Sequence, residues 1–456
     1  MNAQAAVAGT RVADIVGAQN VIADPRELSA YAVDGVIPKG AARPGTAQEI
    51  TELVKFAAAE NLAVIPTGAR TKLAIGMPPA RYDLAIDATR LDRVISHDPG
   101  DLTLSVEPAI PLSRLAQILA EHNQFLPLDV PFFERATVAG TLASGVDSPL
   151  RQLYGTPRDF VLGMEFVTGE GALAKSGGRV VKNVTGYDLH KLMLGAIGSL
   201  GIITRINFKT FPLPSATATF IASFSNMQAA AGFDSQVHKS PLRCQAIEIL
   251  SPSALALLTK NASSLADTAA MNSFAVAARI AGNESVLARC ERDLRNLAEI
   301  SVGSLLGFFR LDTSREQHFW AAIREFPAAR QSHPAAVLFK VSCLRSDLAA
   351  FFDETSALAH QHSLKISHMF RGCGICYCWL ESSEDQPSSL TTACQEFFQR
   401  GANSVRNASI VLCPLELKRQ LNIWGHPRED FPLMQQLKRA FDPRNLFAPD
   451  RFVGGF

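Results

Sequence analysis

The chain has 456 residues, enough for about three domains, and its 47% hydrophobic and 19% charged residues are typical of a globular protein. Its 44 basic residues nearly balance its 43 acidic ones, which argues against a nucleic-acid-binding protein. There is no apolar run of about 18 residues to span a membrane, and the N-terminus lacks the basic start and apolar run of a secretory signal.

The first part of the chain alternates between helical and strand patterns. A capping box at Thr46–Glu49 predicts the start of a helix that ends near Asn61. Ala63–Ile65 is predicted to be a buried strand, and it leads into the loop Thr67–Lys72. This loop offers backbone amides, hydroxyls and cations that suit a diphosphate, although a plain turn is an equally good interpretation.

Further along, strands are predicted at Leu84–Ile86 and Leu102–Val106, and a hairpin is predicted over Val161–Ala174. Thr137–Gly145 is a run of small residues, which lets the backbone approach a large or flat group closely. The glycines of Gly195–Ile203 precede an apolar run, whereas a Rossmann fingerprint needs the strand first. We therefore expect no Rossmann NAD site there, only a tight helix-to-strand turn.

The clearest boundary in the chain is Pro212–Ser215. Beyond it strands and helices alternate in two sets, which predicts one α+β domain with a single sheet covered by helices. The strands predicted here are Phe220–Phe224, Ala246–Leu250, Phe274–Ile280, Val337–Ser342 and Ile375–Leu380. The predicted helices are Ser251–Leu258, Glu284–Leu297 and Asp347–His360, with a last one opening at Pro432.

Taken together, these motifs resemble the FAD-binding domain of the vanillyl-alcohol oxidase and p-cresol methylhydroxylase (PCMH) superfamily. The C-terminal stretch Phe441–Arg451 is similar to that superfamily's closing segment. Within the superfamily, the best resemblance is to the FAD-binding, E-type subunit of bacterial glycolate oxidase. The segments that carry these resemblances are Pro66–Lys72, Ala136–Gly140, Gly155–Gly163, Val167–Gly171, Lys182–Leu189, Gly198–Thr204 and Trp424–Gly425.

The resemblance implies an α+β fold, with a PCMH-type, two-lobed FAD-binding domain followed by an α+β cap domain. The last segment is expected to return to the FAD-binding domain. The expected divisions are a helical lead-in over 1–35, FAD-binding lobes over about 36–100 and 101–214, a cap over 215–415 and a C-terminal segment over 416–456.

The same resemblance implies which residues hold FAD. The first loop would wrap the diphosphate, the small-residue run would lie along the flavin and its phosphates, and the glycine turn would hold the adenine side. Arg158 would shape the pocket wall or form a structural ion pair with Asp159. The expected FAD-binding residues are Thr67, Gly68, Ala69, Arg70, Thr71, Lys72, Thr137, Val138, Ala139, Gly140, Ser144, Gly145, Arg158, Gly198, Gly201 and Ile203.

Attachment of FAD is expected to be non-covalent. Some relatives tether FAD through a His or Cys of the first loop, but no His or Cys occurs here between Tyr31 and Ser96. His97 and His122 are the nearest histidines that another part of the fold could bring close.

The stretch Phe370–Tyr377 departs from that of catalytic relatives. Catalytic D-2-hydroxyacid dehydrogenases of the superfamily carry a His-x-Gly-x-Gly-Asn-x-His stretch, and the similar place here has no His. Arg371 cannot replace an imidazole as a base, although it could bind a substrate carboxylate. Arg371 and His426 are the candidates for catalysis, and the missing His pair favours a partner subunit as the main catalytic site.

Three cysteines, Cys373, Cys376 and Cys378, invite a metal or iron–sulfur interpretation. In an alternating strand, however, Cys376 and Cys378 share one face and Cys373 points to the other. We expect them to be buried as small hydrophobic residues and expect no metal site. The eight cysteines do not form a small-domain disulfide scaffold, which predicts a reduced, cytoplasmic protein.

The implied function is that of a flavoprotein subunit in a glycolate oxidase-like complex. It would oxidise glycolate or a related 2-hydroxy acid to the 2-oxo acid and pass electrons to its partners, a catalytic flavoprotein and an iron–sulfur subunit. Through such a complex it would associate peripherally with the inner membrane. Two alternatives stay open: an independent FAD-linked oxidase or dehydrogenase of a small alcohol or hydroxy acid, and a flavin-binding scaffold without turnover.

Overall fold

The structure, a computed structural model, describes residues 3–179, 186–261, 272–300, 303–382, 387–402, 407–425 and 427–456. In these residues the strands form three main sheets of four, five and eight strands and one two-stranded ribbon. The mixture of helices and sheets confirms the α+β fold class. None of the helices in the described ranges combines the length and apolarity needed to cross a bilayer.

The first sheet has the strand order β1-β2-β4-β3, with β2, β4 and β3 parallel to one another. Its strands are β1 (Val21–Ile22), β2 (Gly40–Ala42), β3 (Val64–Thr67) and β4 (Leu84–Asp87). Helices α1 (Ala3–Val16), α2 (Pro25–Leu28) and α3 (Ala47–Ala59) accompany it. As predicted, the Thr46 hydroxyl accepts a hydrogen bond from the Glu49 amide at 3.1 Å and so caps α3.

The second sheet is antiparallel and has the order β5-β6-β10-β8-β9. Its strands are β5 (Val94–Asp98), β6 (Thr103–Val106), β8 (Val161–Val167), β9 (Leu173–Gly177) and β10 (Ile202–Lys209), and β7 (Gln124–Phe125) pairs with β11 (Phe211–Pro212) outside it. The helices are α4 (Leu112–Ala120), α5 (Val138–Ser144), α6 (Arg151–Tyr154), α7 (Pro157–Phe160) and α8 (His190–Met193). The pairing of β8 with β9 confirms the predicted hairpin.

The third sheet confirms the prediction of one sheet covered by helices. Its order is β15-β12-β14-β13-β17-β18-β16-β19, and all its pairs are antiparallel. The strands are β12 (Thr217–Phe224), β13 (Cys244–Leu250), β14 (Phe274–Ala281), β15 (Leu305–Arg310), β16 (Ala336–Ser342), β17 (Lys365–Arg371), β18 (Ile375–Glu381) and β19 (Asn407–Leu412). The helices are α9 (Met227–Lys239), α10 (Pro252–Asn261), α11 (Glu284–Glu299), α12 (Thr313–Glu325), α13 (Leu348–Gln361) and α14 (Pro387–Ala402).

Side chains on the third sheet alternate between two cores because successive strand residues point to opposite faces. Ile247 and Ile249 of β13 join a core with α9, α11, α13 and α14, whereas Ala246 and Leu250 join a second core with α10 and α12. The sheet therefore lies between two helical layers. This explains why its strands are apolar on both faces.

The cysteine stretch differs in part from the prediction. Cys376 and Cys378 share a face of β18 as expected, with their sulfur atoms 3.2 Å apart in one core. Cys373, however, lies in the tight turn between β17 and β18, and packs against the other core. In the described ranges no group of three His, Cys, Asp or Glu side chains is arranged to hold a metal ion.

The end of the chain packs against the first sheet. After α15 (Leu415–Lys418) and α16 (Phe431–Phe441), the backbone runs beside β3, where the Val64 amide donates to Leu446 O at 2.7 Å. The Ala448 amide in turn donates to Val64 O at 2.8 Å. The C-terminal segment therefore pairs with β3 at the edge of the first sheet. The loop Thr67–Lys72 begins where this strand ends.

Candidate functional site

Two adjoining cavities lie where the loop Thr67–Lys72, α5 and the third sheet meet. The narrower one, here called the cleft, has a volume of about 120 Å³ and lies among that loop, α5 and the turn 197–203. The wider one, here called the chamber, has a volume of about 450 Å³ and extends to β16, β18 and the C-terminal segment. Thr71, Lys72, Ile75 and Ser144 line both, so an elongated ligand could occupy them together.

The structure brings most of the predicted FAD-binding residues to the cleft. Gly145 lines the chamber, where it ends α5 in a left-handed conformation with φ of +64°. The predicted residues in the cleft lining are Thr67, Gly68, Ala69, Arg70, Thr71, Lys72, Thr137, Ala139, Gly140, Ser144, Gly198, Gly201 and Ile203. Segments far apart in sequence thus meet at one surface.

Two predicted residues lie elsewhere. The Val138 side chain is fully buried in the core beneath α5, because it lies on the helix face away from the cleft. Arg158 is exposed on α7, and its guanidinium donates to Lys191 O at 3.5 Å. Asp159 accepts hydrogen bonds from Thr156 at the start of α7. Neither Val138 nor Arg158 lines either cavity.

Glycines allow the segments around the cleft to approach closely. A Cβ added to Gly68 would lie 2.5 Å from Thr137 Oγ1, and one added to Gly198 would lie 2.7 Å from Pro66 Cγ. Gly198 also has φ of +77°, which L residues rarely adopt. The Thr67 hydroxyl is buried at the cleft with no hydrogen-bond partner among the described atoms, so it can serve a ligand.

Arg70 is less available to an anion than its place in the loop suggests. Its guanidinium lies 3.0 Å from the buried carboxylate of Asp87 and 4.4 Å from the centre of the Tyr31 ring. Tyr31 donates its hydroxyl to the same carboxylate at 2.6 Å, and burial raises the pKa of Tyr31. Asp87 therefore offsets the charge of Arg70, whose chief part is to shape the loop.

Lys72 lies at the junction of the two cavities. Its ammonium donates to Pro131 O at 3.2 Å, and it has no ion-pair partner in the part of the chain that the structure describes. Burial lowers the pKa of Lys72 to about 8. It is the cation of the loop that is best placed to meet an anionic ligand.

Lys340 and Tyr377 line the chamber from neighbouring strands, and sequence reasoning missed both. Lys340 Nζ lies 2.6 Å from Asp147 Oδ2 and donates to Gly145 O at 3.1 Å. The Tyr377 hydroxyl is buried without a hydrogen-bond partner among the described atoms, and burial raises the pKa of Tyr377. A lone lysine in the apolar strand 336–342 was the feature that could have identified Lys340.

Of the two candidates for catalysis, only Arg371 lies in the described residues, and its contacts are those of a structural ion pair. Arg371 is 2% exposed, pairs with Glu248 at 2.6 Å and lines neither cavity, so it is not free to bind a substrate carboxylate. Burial raises the pKa of Glu248 to about 7, although Arg371 lowers it. His426 lies outside the described residues. Trp424, two positions earlier, lines the chamber and donates its indole N–H to Arg451 O at 3.2 Å.

No His or Cys occurs among the described residues that line the two cavities. His97 and His122 contact each other, with ring centres 4.8 Å apart, and they also lie outside both linings. The described lining thus contains neither a His nor a Cys that could tether a cofactor.

Comparison with protein-family models divides the chain into two matched parts. Residues 38–177 match the FAD binding domain, and residues 213–403 and 421–452 match the C-terminal domain of FAD linked oxidases. The first match contains the loop and α5, and the second contains β16 and β18 of the chamber wall. Strand β19, which also lines the chamber, and the turn 197–203 of the cleft lie outside both matched ranges. The two cavities therefore lie where the two matched parts meet.

Several curated proteins are similar to the chain. Glycolate oxidase subunit GlcD of Bacillus subtilis (strain 168) is 23% identical over 431 residues, which cover 91% of this chain and 89% of that protein. Glycolate oxidase subunit GlcE of Escherichia coli (strain K12) is 34% identical, covering 40% of this chain and 52% of GlcE. The D-2-hydroxyglutarate dehydrogenase of Xanthomonas citri pv. viticola is 31% identical, covering 51% of this chain and 50% of that enzyme. The chain thus spans about half the length of the latter two.

The fold is also similar to that of solved structures. The structure of p-cresol methylhydroxylase with substrate bound matches with a TM-score of 0.77, covering 99% of this chain and 97% of that one. The identity is only 16%, so this likeness concerns the fold alone.

Proposed function

Because the chain carries an FAD-binding domain followed by the C-terminal domain of FAD-linked oxidases, it is an FAD-dependent oxidoreductase, and we propose that it oxidises a small 2-hydroxy acid to the 2-oxo acid. Glycolate is the first candidate, since similar proteins are named glycolate oxidase subunits. Other similar proteins are named for D-2-hydroxyglutarate and D-lactate. A hydroxyl next to a carboxylate is common to these compounds.

In this proposal FAD lies along the cleft and reaches into the chamber, without a covalent bond. The unpartnered Thr67 hydroxyl, the loop amides and Lys72 would hold the diphosphate, and the glycine turn would hold the adenine side. FAD supplies the acceptor for the hydride that leaves the alcohol carbon. The protein's own residues bind and orient both molecules.

The observation that carries the proposed substrate class is the polar wall of the chamber. Lys340 and Tyr377 face a space that adjoins the cleft, and the side chain of Lys340 is 25% exposed. Asp147, 2.6 Å from Lys340, offsets the charge of Lys340, so the ammonium and the Tyr377 hydroxyl would bind a carboxylate as hydrogen-bond donors. Lys72 and Arg428 also line the chamber, and most of the remaining lining is apolar. A small hydroxy acid can therefore be oriented with its carboxylate at this wall and its alcohol carbon toward the cleft.

We further propose that the chain works as the E-type, FAD-binding subunit of a complex, with a catalytic flavoprotein and an iron–sulfur protein as partners. The described chamber lining has no His to accept the hydroxyl proton, and Arg371 is engaged by Glu248. In this proposal the catalytic flavoprotein supplies the base that accepts the hydroxyl proton, and the complex is held peripherally at the inner membrane. The similarity to proteins named D-2-hydroxyglutarate dehydrogenase and D-lactate dehydrogenase, names that mention no subunit, favours one competing proposal, an enzyme that turns over alone.

An anaerobic absorbance experiment tests this proposal. Purified full-length chain with bound FAD is mixed with glycolate, D-lactate or D-2-hydroxyglutarate, alone and with candidate partner subunits. Ethanol, which has a hydroxyl but no carboxylate, is the control. We expect bleaching of the oxidised flavin by a hydroxy acid only in the complex, and loss of it in Lys340→Met. Turnover by the isolated chain would overturn the subunit role, and no bleaching by any acid in any mixture would overturn the substrate class.

A further inference from the structure

The backbone segment that follows the first loop, Leu73–Met77, forms a wall shared by the two cavities. Leu73 lines the cleft, Ala74 lines the chamber, and Ile75 lines both. The segment has no side chain that binds an anion. The segment Leu73–Met77 can therefore affect the binding of a ligand only through the position of its backbone, which sets the shape of the two cavities.

Two buried cations from the C-terminal segment hold this backbone. Arg451 donates from Nη2 to Leu73 O at 2.5 Å and to Ile75 O at 2.6 Å, and from Nε to Met77 O at 3.3 Å. Lys418 donates to the two carbonyls in between, Ala74 O at 2.6 Å and Gly76 O at 2.8 Å. Five successive carbonyls thus alternate between Arg451 and Lys418, an arrangement called here the carbonyl clamp.

Burying the two cations of the carbonyl clamp costs free energy unless each charge is well compensated. Neutral side chains could hold the same backbone without this cost. Lys418 is 1% exposed and has the carboxylate of Asp34 at 2.9 Å. Arg451 is 3% exposed and has no ion-pair partner within the described ranges. Burial lowers the pKa of Arg451 to about 10, so it is still charged at neutral pH. Because Arg451 also lines the cleft, its positive charge acts on whatever lies there.

Backbone contacts make the fit between loop and clamp tight. The Met77 amide donates to Arg451 O at 2.9 Å, so the two segments are bonded in both directions. Gly76 has φ of +101°, and a Cβ added to it would lie 2.9 Å from Arg451 O. A side chain at position 76 would therefore push the loop away from the clamp.

We infer that Arg451 and Lys418 are positioning residues for FAD: they fix the wall at Leu73–Met77, and Arg451 adds positive charge to the cleft. The inference rests on the proposed placement of FAD in the cleft and chamber. It makes the end of the chain a part of the flavin site, although most of the cofactor contacts would come from residues 67–203.

The test compares FAD affinity among variants of the full-length chain. Flavin is removed, FAD is titrated back, and the Kd is measured by flavin fluorescence for Arg451→Met, Lys418→Met, Gly76→Ala and the wild type. We expect the Kd for FAD to rise at least about tenfold in Arg451→Met and in Lys418→Met, which corresponds to a loss of about 1.4 kcal/mol of binding free energy. We expect Arg451→Lys to recover part of the loss. The visible circular dichroism of bound flavin should change in the clamp variants, since it reports the geometry around the ring.

A matched control separates positioning from general stability. Arg279 is a half-buried cation that pairs with Glu316 at 3.3 Å and lines neither cavity, so Arg279→Met should lower the melting temperature with an unchanged FAD Kd. If Arg451→Met and Lys418→Met also keep the wild-type Kd and dichroism, the inference fails. If Arg451→Met does not fold, Arg451→Lys and Gly76→Ala decide by the same measurements. If the wild type itself binds no FAD, the proposed function fails instead.

Discussion

Lys72 illustrates how one residue connects the sequence motif with the chemistry of the site. In the sequence it closes a loop whose composition suits a diphosphate, and in the structure it lies between cleft and chamber with its pKa lowered to about 8 by burial. The ammonium is therefore charged at neutral pH but neutral in moderately alkaline solution. Its attraction for an anionic ligand should be lost over the same range.

We predict that FAD affinity falls several-fold as the pH rises from 7 to 9.5 in the wild type and stays nearly flat in Lys72→Met. In the flavin-free protein the same group acts with the opposite sign. The pKa of Lys72 in the folded protein, about 8, lies below its ordinary value of 10.5. Between these two pH values the unfolded chain binds more protons than the folded one, so Lys72 makes the free energy of unfolding rise with pH over that range. Fluorescence titration and urea unfolding at several pH values measure both effects. Equal pH slopes in wild type and variant would contradict the role of Lys72.

Arg371 shows what residue-level prediction could not include. The sequence places it in a stretch where catalytic relatives carry His, but it does not reveal Glu248, which lies on a different strand and pairs with it at 2.6 Å. Composition cannot tell a ligand-binding guanidinium from a structural one. Lys340 and Tyr377 were missed for the same reason, because only the pairing of β16 with β18 brings them together.

We predict that Arg371→Met lowers the free energy of unfolding by about 3–5 kcal/mol, because Glu248 would be left buried and unpaired. The double variant Arg371→Met/Glu248→Leu should recover most of this loss. As a control, Arg310→Met removes an exposed partner of Glu284 and should cost under about 1 kcal/mol. Urea denaturation provides all these values. A small effect of the single variant, with loss of hydroxy-acid binding, would instead make Arg371 a substrate ligand.

At the level of elements, local patterns predicted most of the fold. The capped helix α3, the β8–β9 hairpin and the apolar strands β12 to β14 lie within a few residues of their predicted positions, because capping, alternation and turn residues are local properties. The order of strands in the third sheet is set by contacts between distant residues, so it could not be predicted. The run of small residues was expected to approach a large group, but its helical form as α5 was not predicted.

Gly198 lets the turn 197–203 approach Pro66, which precedes the loop Thr67–Lys72. Gly198→Ala should destabilise the protein by about 1–3 kcal/mol and weaken FAD binding, because it combines an unfavourable φ with a contact to Pro66. Gly303→Ala is the matched control, since Gly303 has φ of +80° and no atom of the described residues outside its chain neighbours lies within 4 Å of an added Cβ. It should show the backbone strain alone and leave FAD binding intact. Thermal unfolding and FAD titration distinguish the two, and equal FAD affinities in both variants would argue against the role of the turn.

At the scale of the whole molecule, the two cavities lie between the part that matches FAD-binding domains and the part that matches FAD-linked oxidases. The resemblance of ordered motifs led to FAD, whereas the site for the substrate became visible only with the third sheet in place. The proposed division of labour with partner subunits concerns the complex and is not encoded in either cavity. That is why the sequence supports FAD binding more strongly than turnover.

Non-covalent FAD is the central claim, and acid precipitation of the purified full-length chain tests it most directly. Absorption spectra are recorded before precipitation and then for the supernatant and the pellet. The structure and the absence of His or Cys in the described cavity lining predict an oxidised-flavin spectrum in the supernatant, identified as FAD by chromatography. Flavin that remains with the pellet would contradict the non-covalent mode, and colourless protein from flavin-replete cells would contradict the account of the site as a whole.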